Sequence, residues 1–300
     1  MADALDVAFT HAFLIAALAR LGERGLLDAP APDEDGLARA CQAMLIEGGL
    51  LAHDPIEPSL ALRDALPPGT TGDVIGGMMR DHLAFITRFA SGAIPGWAET
   101  DPELIRVRGR ASGQYVGGNL LPAALAGHPD VARRLDEPGG VFLDVGVGAA
   151  GIAIEMCRRH PSLDVVGLDV SEVALAIARA DVTAAGLDTR IEVRTQSVAD
   201  LSDVGAFDLM WLPQLFIPRD VLRTALPRLA KAGRPGALLV MALSTNDESG
   251  LTWHAQEIAN LMAGGGTLPP EAAATMAREA GFVSATVVDH GGAKLIVATA

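Results

Sequence analysis

Two aspartates and a run of glycines mark the first chemistry in this sequence. Residues 139–151 read GGVFLDVGVGAAG: an apolar run reaches Asp144, and Gly146, Gly148 and Gly151 follow in a G-x-G-x-x-G pattern. Glycines let a strand turn sharply into a helix and let a ligand approach the backbone. The first turn of that helix then offers N–H groups and the positive end of a dipole. A dinucleotide would set its pyrophosphate there. Asp144 argues against a pyrophosphate, because a carboxylate at the strand end repels it and suits a ligand carrying an ammonium or sulfonium. A second acid, Asp169, ends the next apolar run in VVGLDVSE. It can accept both hydroxyls of a ribose, which NAD and other adenosine ligands share. The plainer roles are loop bonding for Asp144 and helix capping for Asp169.

These residues need a strand, a turn and a helix in succession, and the second half of the chain supplies that pattern. Strands are expected at 141–145, 164–170, 190–195, 207–212 and 236–244, with helices at 149–160, 171–186, 218–233 and 269–281. Strand–helix alternation of this kind makes a parallel α/β sheet. Segments 282–289 and 293–300 flank His290-Gly-Gly and read as a terminal β-hairpin, so the sheet is expected to end in an antiparallel strand. Before residue 135 the pattern is helical, at 3–21, 36–49, 72–90 and 120–135, with a short β-wing at 50–64. Two domains follow: 1–135, mostly helical and winged-helix-like, and 136–300, which carries the nucleotide loop.

Bulk properties narrow the partners. The 300-residue chain has a formal net charge of −14 and is 50% hydrophobic. An acidic surface repels phosphate backbones and anionic membranes, so neither nucleic acid nor a membrane is an expected partner. The N-terminal apolar run is broken by Thr10, His11 and Arg20 and reads as neither a signal peptide nor a span. Cys41 and Cys157, the two cysteines, sit in helical patterns and read as reduced core residues, which fits a cytoplasmic compartment. No His/Cys/Asp/Glu group has metal-ligand spacing, so no metal is expected.

The segments LDVGVGAAG, VVGLDVS, RIEVRTQSVADL, FDLMWLPQ and LAKAGRPGALLVM together resemble a class I methyltransferase using S-adenosylmethionine (SAM), over most of 139–300. The resemblance implies a Rossmann-like seven-stranded sheet. It implies that Asp144, Gly146 and Gly148 cradle the methionyl part of SAM, that Asp169 binds the ribose, and that Val170 lies beside the adenine. Ser197 and Val198, after the third strand, would flank that ring, and Trp211 resembles a tryptophan that covers it. Core packing is the plainer role for Trp211. The sequence departs from the family pattern twice, with Ala150 where a third glycine often stands and Ser197 where an aspartate often bonds the adenine amino group. The N-terminal half is similar to the winged-helix module of small-molecule O-methyltransferases of secondary metabolism, which dimerises and closes the substrate pocket. That similarity implies a homodimer, and GGGTLPPEAAATMAREAGF at 264–282 resembles a late segment of the same enzymes.

For the catalytic groups the resemblance offers less. Gln214 falls about where that family carries a histidine base, and an amide is no base. Among the histidines, His82, His128 and His254 could reach a pocket. His254 is favoured because its segment follows the fifth strand, where the family builds its substrate wall. Tyr115, the only tyrosine, lies in a linker that passes over the cofactor in related enzymes. The expected function is SAM-dependent methylation of a small, largely apolar molecule, on oxygen or carbon, yielding S-adenosylhomocysteine (SAH). One alternative is a SAM-binding protein that is non-methylating or regulatory. The other is an NAD(P)-dependent oxidoreductase, which Asp144 and the lack of a Tyr-x-x-x-Lys motif after the loop oppose.

Overall fold

The computed structural model describes residues 2–64, 66, 70–92, 101–243, 251–290 and 293–300. Its contacts divide the chain into two compact units, Met1–Ala93 with Arg106–Gln114, and Ile94–Ile105 with Tyr115–Ala300.

The first unit is mostly helical. It holds α1 (Ala2–Gly22), α2 (Gly36–Glu47), the hairpin of β1 (Leu51–His53) and β2 (Ile56–Pro58), α3 (Leu60–Asp64) and α4 (Gly72–Ala90). The stretch read as a β-wing is thus a hairpin followed by one helical turn, because Pro58 and Ser59 end the pairing and the Ser59 hydroxyl accepts from the Leu62 N–H. Leu21, Leu27, Leu45 and Leu51 form the core, with Cys41 packed against it. Gln42 is buried at no net cost in polar groups. Its Nε2 donates to the Leu26 and Ala29 carbonyls, and its Oε1 accepts from the Ala31 N–H.

Helix α5 (Pro102–Ser112) runs into a π-helix at Gly113–Leu120, then α6 (Leu121–Ala126) and α7 (Pro129–Asp136). The single helix expected at 120–135 is therefore two, parted at Gly127 and His128 before Pro129, which opens α7 where its missing N–H costs nothing.

The second unit is a three-layer sandwich. Its strands are β3 (Val141–Val145), β4 (Asp164–Asp169), β5 (Ile191–Thr195), β6 (Phe207–Pro213), β7 (Gly233–Ala242), β8 (Ser284–His290) and β9 (Ala293–Thr299). Their order is β5-β4-β3-β6-β7-β9-β8, with β9 antiparallel to both β7 and β8. The hairpin read at the C-terminus thus lies at the edge, and β9 is inserted between β7 and β8. On one face lie α8 (Gly151–Arg159), α9 (Glu172–Ala184), α6 and α7, packed on Phe142, Val165, Leu209 and Val240. On the other lie α10 (Arg219–Ala232) and α12 (Pro270–Glu279), packed on Leu143, Val166, Met210 and Leu239. Alternate residues of each central strand feed opposite cores, which is why these strands read as continuous apolar runs. Helix α11 (Leu251–Ala263) follows β7. No helix among the described residues is long and apolar enough to cross a membrane.

Candidate functional site: an acid-flanked glycine loop

Strand order reverses between β4-β3 and β6-β7, and in a doubly wound sheet the crevice beyond the strand ends at that switch is where ligands bind. The glycine loop sits there. Gly146 and Gly148 hold φ of 71° and 55°, the left-handed region that a side chain resists. The N–H groups of Gly146 and Val147 both donate to the Leu168 carbonyl, at 2.8 and 2.9 Å, and so dock the loop on the end of β4.

Asp169 completes that docking. Its Oδ2 accepts from the Gly148 N–H at 3.0 Å and its Oδ1 from the Ser171 N–H at 2.9 Å. The carboxylate thus laces the loop to the start of α9, and each oxygen keeps a lone pair for a ligand hydroxyl. Ser171 in turn caps α9 by accepting from the Ala174 N–H.

Asp144 is wholly buried, and neither carboxylate oxygen has a hydrogen-bond partner. It stands in register between Gly167 on β4 and Trp211 on β6. Gly167 is bare because Val147 covers it; a Cβ there would lie 2.6 Å from Val147 Cγ2. Burial pushes the Asp144 carboxyl up to about 8. The Ala153 amide in the first turn of α8 works against that rise, and the charge of Asp169 adds to it. A carboxylate that finds no partner in the protein fits a cation-bearing ligand.

The other residues named from the sequence differ in burial and bonding. Val170 is 69% exposed at the end of β4, an apolar side chain open to a ring. Ser197 accepts from the Ala199 N–H and caps a 3₁₀ turn at Val198–Asp200. The Val198 side chain lies in the core beside Leu201. Trp211 is 3% exposed and packs in the core with Leu209 and Val240. Tyr115 lies on the π-helix, half-exposed, with burial pushing its phenol up. His254 is exposed on α11, while His160 pairs with Asp136 at 2.7 Å in the turn before β4. Cys157 is buried in the core and both cysteines are free thiols.

Gln214 opens the 3₁₀ turn after β6 and is fully buried. Its Nε2 donates to the Gly266 carbonyl at 3.2 Å, and its Oε1 has no partner. The Gly264–Gly266 run presses onto this turn so closely that a Cβ on Gly265 would lie 2.1 Å from the Leu215 carbonyl oxygen. Buried Asn260 accepts from the Gly265 and Gly266 N–H groups. The Thr267 hydroxyl bonds Asn260 and Glu257, and Arg219 donates to the Thr267 carbonyl at 2.6 Å. Sequence reading passed over Glu257, Asn260 and Arg219. The triple glycine before Thr267 was the available signal, since three glycines together mark a close backbone approach.

Ala150 holds φ 61° and ψ 20°, the only non-glycine left-handed residue among those described. The loop therefore keeps the geometry of a third glycine with an alanine in place, and Ala150 is buried in the core under α8.

Residues 142–236 match a family model described as a methyltransferase domain. The release factor glutamine methyltransferase of Cereibacter sphaeroides is 29% identical over 186 residues, covering 60% of this chain and 57% of that protein. The chain spans between 12% and 57% of the length of the curated relatives it matches. Among solved structures, PigF with SAH superposes at a TM-score of 0.66 and 20% identity, covering 99% of this chain and 97% of that one. The mitomycin 7-O-methyltransferase MmcR superposes at 0.63 and 15% identity, with 99% and 97% covered. Both superpositions extend over nearly the whole of this chain. A dinucleotide enzyme has no use for a buried acid under its pyrophosphate loop, whereas a sulfonium amino acid ligand does. Residues 142–236 carry a methyltransferase domain, and the chain has the fold of the S-adenosylmethionine-dependent methyltransferases it resembles.

Proposed function

We propose that this protein methylates a small, largely apolar molecule with SAM, on oxygen or carbon, as part of secondary metabolism. The observation that carries the reading is Asp144: a fully buried carboxylate with both oxygens unpartnered, beside a glycine loop that Asp169 holds in place. In this reading Asp144 faces the ligand's ammonium, Gly146 and Gly148 admit its methionyl chain, and Asp169 accepts from the ribose. Val170 lies against the adenine, with Ser197 and the backbone of Val198 at its rim. Trp211 supports that pocket from the core side.

SAM supplies an activated methyl, so the protein's work is placement. The loop and both acids occupy the ends of β3 and β4, which leaves the β6 and β7 side of the crevice to the methyl acceptor. Gln214 lies on that side and holds an acceptor oxygen still. Its amide does not titrate, so a proton lost by the acceptor goes to another group or to water. His254 and Tyr115 are the candidates for contacting the acceptor. MmcR, a neighbour in fold that is a mitomycin 7-O-methyltransferase, supports a small-molecule acceptor.

The exposed apolar residues Val7, Phe9 and Phe13 of α1, with the two rings 4.8 Å apart, support a homodimer formed through the N-terminal 135 residues. The acidic surface and free thiols support a cytoplasmic enzyme with neither nucleic acid nor membrane as partner. A SAM-binding protein without methyl transfer is the second reading, favoured by the non-titrating Gln214.

Calorimetric titration with SAM, SAH and NAD(H), each alone, tests the cofactor, and product analysis tests the transfer. Binding of both adenosyl ligands with SAH formed in step with a methylated product supports methyl transfer. Binding without SAH formation supports the second reading. NAD(H) binding without SAM binding overturns both.

A further inference from the structure

Two aspartates are fully buried in this sheet, on the adjacent strands β3 and β6, and they are treated oppositely. Asp208, at the start of β6, is held by Arg134 at 3.0 Å and Arg234 at 2.5 Å, and its Oδ2 also accepts from the Val141 N–H. Asp144, at the far end of β3, has no arginine or lysine partner, and neither of its oxygens closes a hydrogen bond. The same fold thus gives one buried aspartate two guanidinium partners and a backbone donor, and gives Asp144 no such cation.

The groups around Asp144 sharpen the contrast. From β4 it is flanked by Gly167, and from β6 by Trp211, neither of which titrates. The first turn of α8 carries no acid, and its Ala153 N–H is the polar group that faces the carboxyl. Asp169, at the end of β4, is the charged group whose field reaches it, and that field is negative. An isolated ionised carboxylate cannot be kept in such surroundings, and it stays neutral by holding a proton.

We infer that Asp144 holds a proton in the ligand-free protein and exchanges it for the ammonium of the adenosyl amino acid. This inference rests on the proposed SAM site. The balance is simple: carboxylic acid plus ligand ammonium gives a carboxylate–ammonium pair plus one proton released to solvent. No bond to carbon changes. The coupling makes affinity rise with pH for a ligand that carries the ammonium and leaves it flat for one that does not. The site thereby discriminates SAM and SAH from the neutral nucleosides that share their adenosine.

Calorimetric titration of the whole protein at pH 7, in two buffers of different ionisation enthalpy, counts the protons directly. SAH and SAM are expected to release close to one proton each and adenosine none. Between pH 6 and pH 7 the affinity for SAH is expected to climb about tenfold, one proton per ligand. In Asp144→Asn the release and the pH slope disappear while adenosine binding persists. SAH binding with no proton release, or release that survives in Asp144→Asn, overturns the inference and leaves the cofactor reading standing. Failure of SAM, SAH and adenosine to bind the folded wild-type protein overturns both.

Discussion

The carboxylate of Asp169 accepts a hydrogen bond from the Gly148 N–H at 3.0 Å, across the gap between the glycine loop and the next strand. One side chain therefore shapes the loop before any ligand arrives. In the proposed site the same carboxylate also accepts from the ribose.

Asp169→Ala should accordingly damage both. Loss of two charge-assisted bonds to backbone N–H groups should cost about 1–3 kcal/mol in urea unfolding. SAH affinity should fall by at least about tenfold, or ~1.4 kcal/mol. Asp169→Asn, which keeps one acceptor oxygen, should recover part of each. An unchanged unfolding midpoint in Asp169→Ala would show that the loop needs no such lacing.

Asp144 should make stability fall with pH. Burial pushes its folded carboxyl up to about 8, against 3.8 for an aspartate in water. Between these values the unfolded chain binds fewer protons at this group than the native one, so the native state loses stability as pH rises. The slope is at most ~1.4 kcal/mol per pH unit. Ligand-free Asp144→Asn should match wild type near pH 4 and exceed it at pH 8, measured by urea unfolding at both. Equal stability of the two proteins at pH 8 would contradict the burial argument.

Asp208 should behave as a structural counter-ion. Asp208→Ala strands two guanidinium groups and removes the acceptor of the Val141 N–H, and should cost about 3–5 kcal/mol. SAH affinity of the protein that remains folded should change less than twofold, because Asp208 begins β6 and the glycine loop lies beyond the opposite end. A large affinity loss in folded Asp208→Ala would place the pair in the ligand's path.

Gly265→Ala should be destabilising in a way that composition does not foretell. The added methyl has nowhere to go but into the Leu215 carbonyl, so the Gly264–Gly266 segment must lift and Gln214 must lose its bond to Gly266. A cost of about 1–3 kcal/mol is expected in urea unfolding, with SAH affinity within about twofold of wild type. Differential scanning calorimetry showing no drop in Tm would contradict the close approach.

Ala150 tests the loop from the other direction. Ala150→Gly relieves a left-handed alanine while losing a buried methyl, and the two effects should cancel to within about 1 kcal/mol. Ala150→Val forces a β-branched residue into the same φ and overfills a closed site, and should cost at least ~2 kcal/mol. Comparable midpoints for the two variants would mean the strain is absent.

The sequence by itself determined the parallel sheet, the loop and the pairing of acids with strand ends. Each follows from short-range pattern: continuous apolar runs for strands buried on both faces, glycines where a strand must turn, an acid at the last residue of a run. It also determined the terminal hairpin, from two apolar segments around His290-Gly-Gly. It did not determine where that hairpin docks, since the insertion of β9 between β7 and β8 is a choice among edges that only packing makes. Nor did it separate α6 from α7, or show the 3₁₀ turn that buries Gln214. Above all, two aspartates with similar apolar neighbours in sequence, Asp144 and Asp208, met opposite fates. One found two arginines that the chain brings from residues 134 and 234, and the other found none. Whether a buried charge is matched depends on groups far away along the chain, and tertiary structure alone decides that.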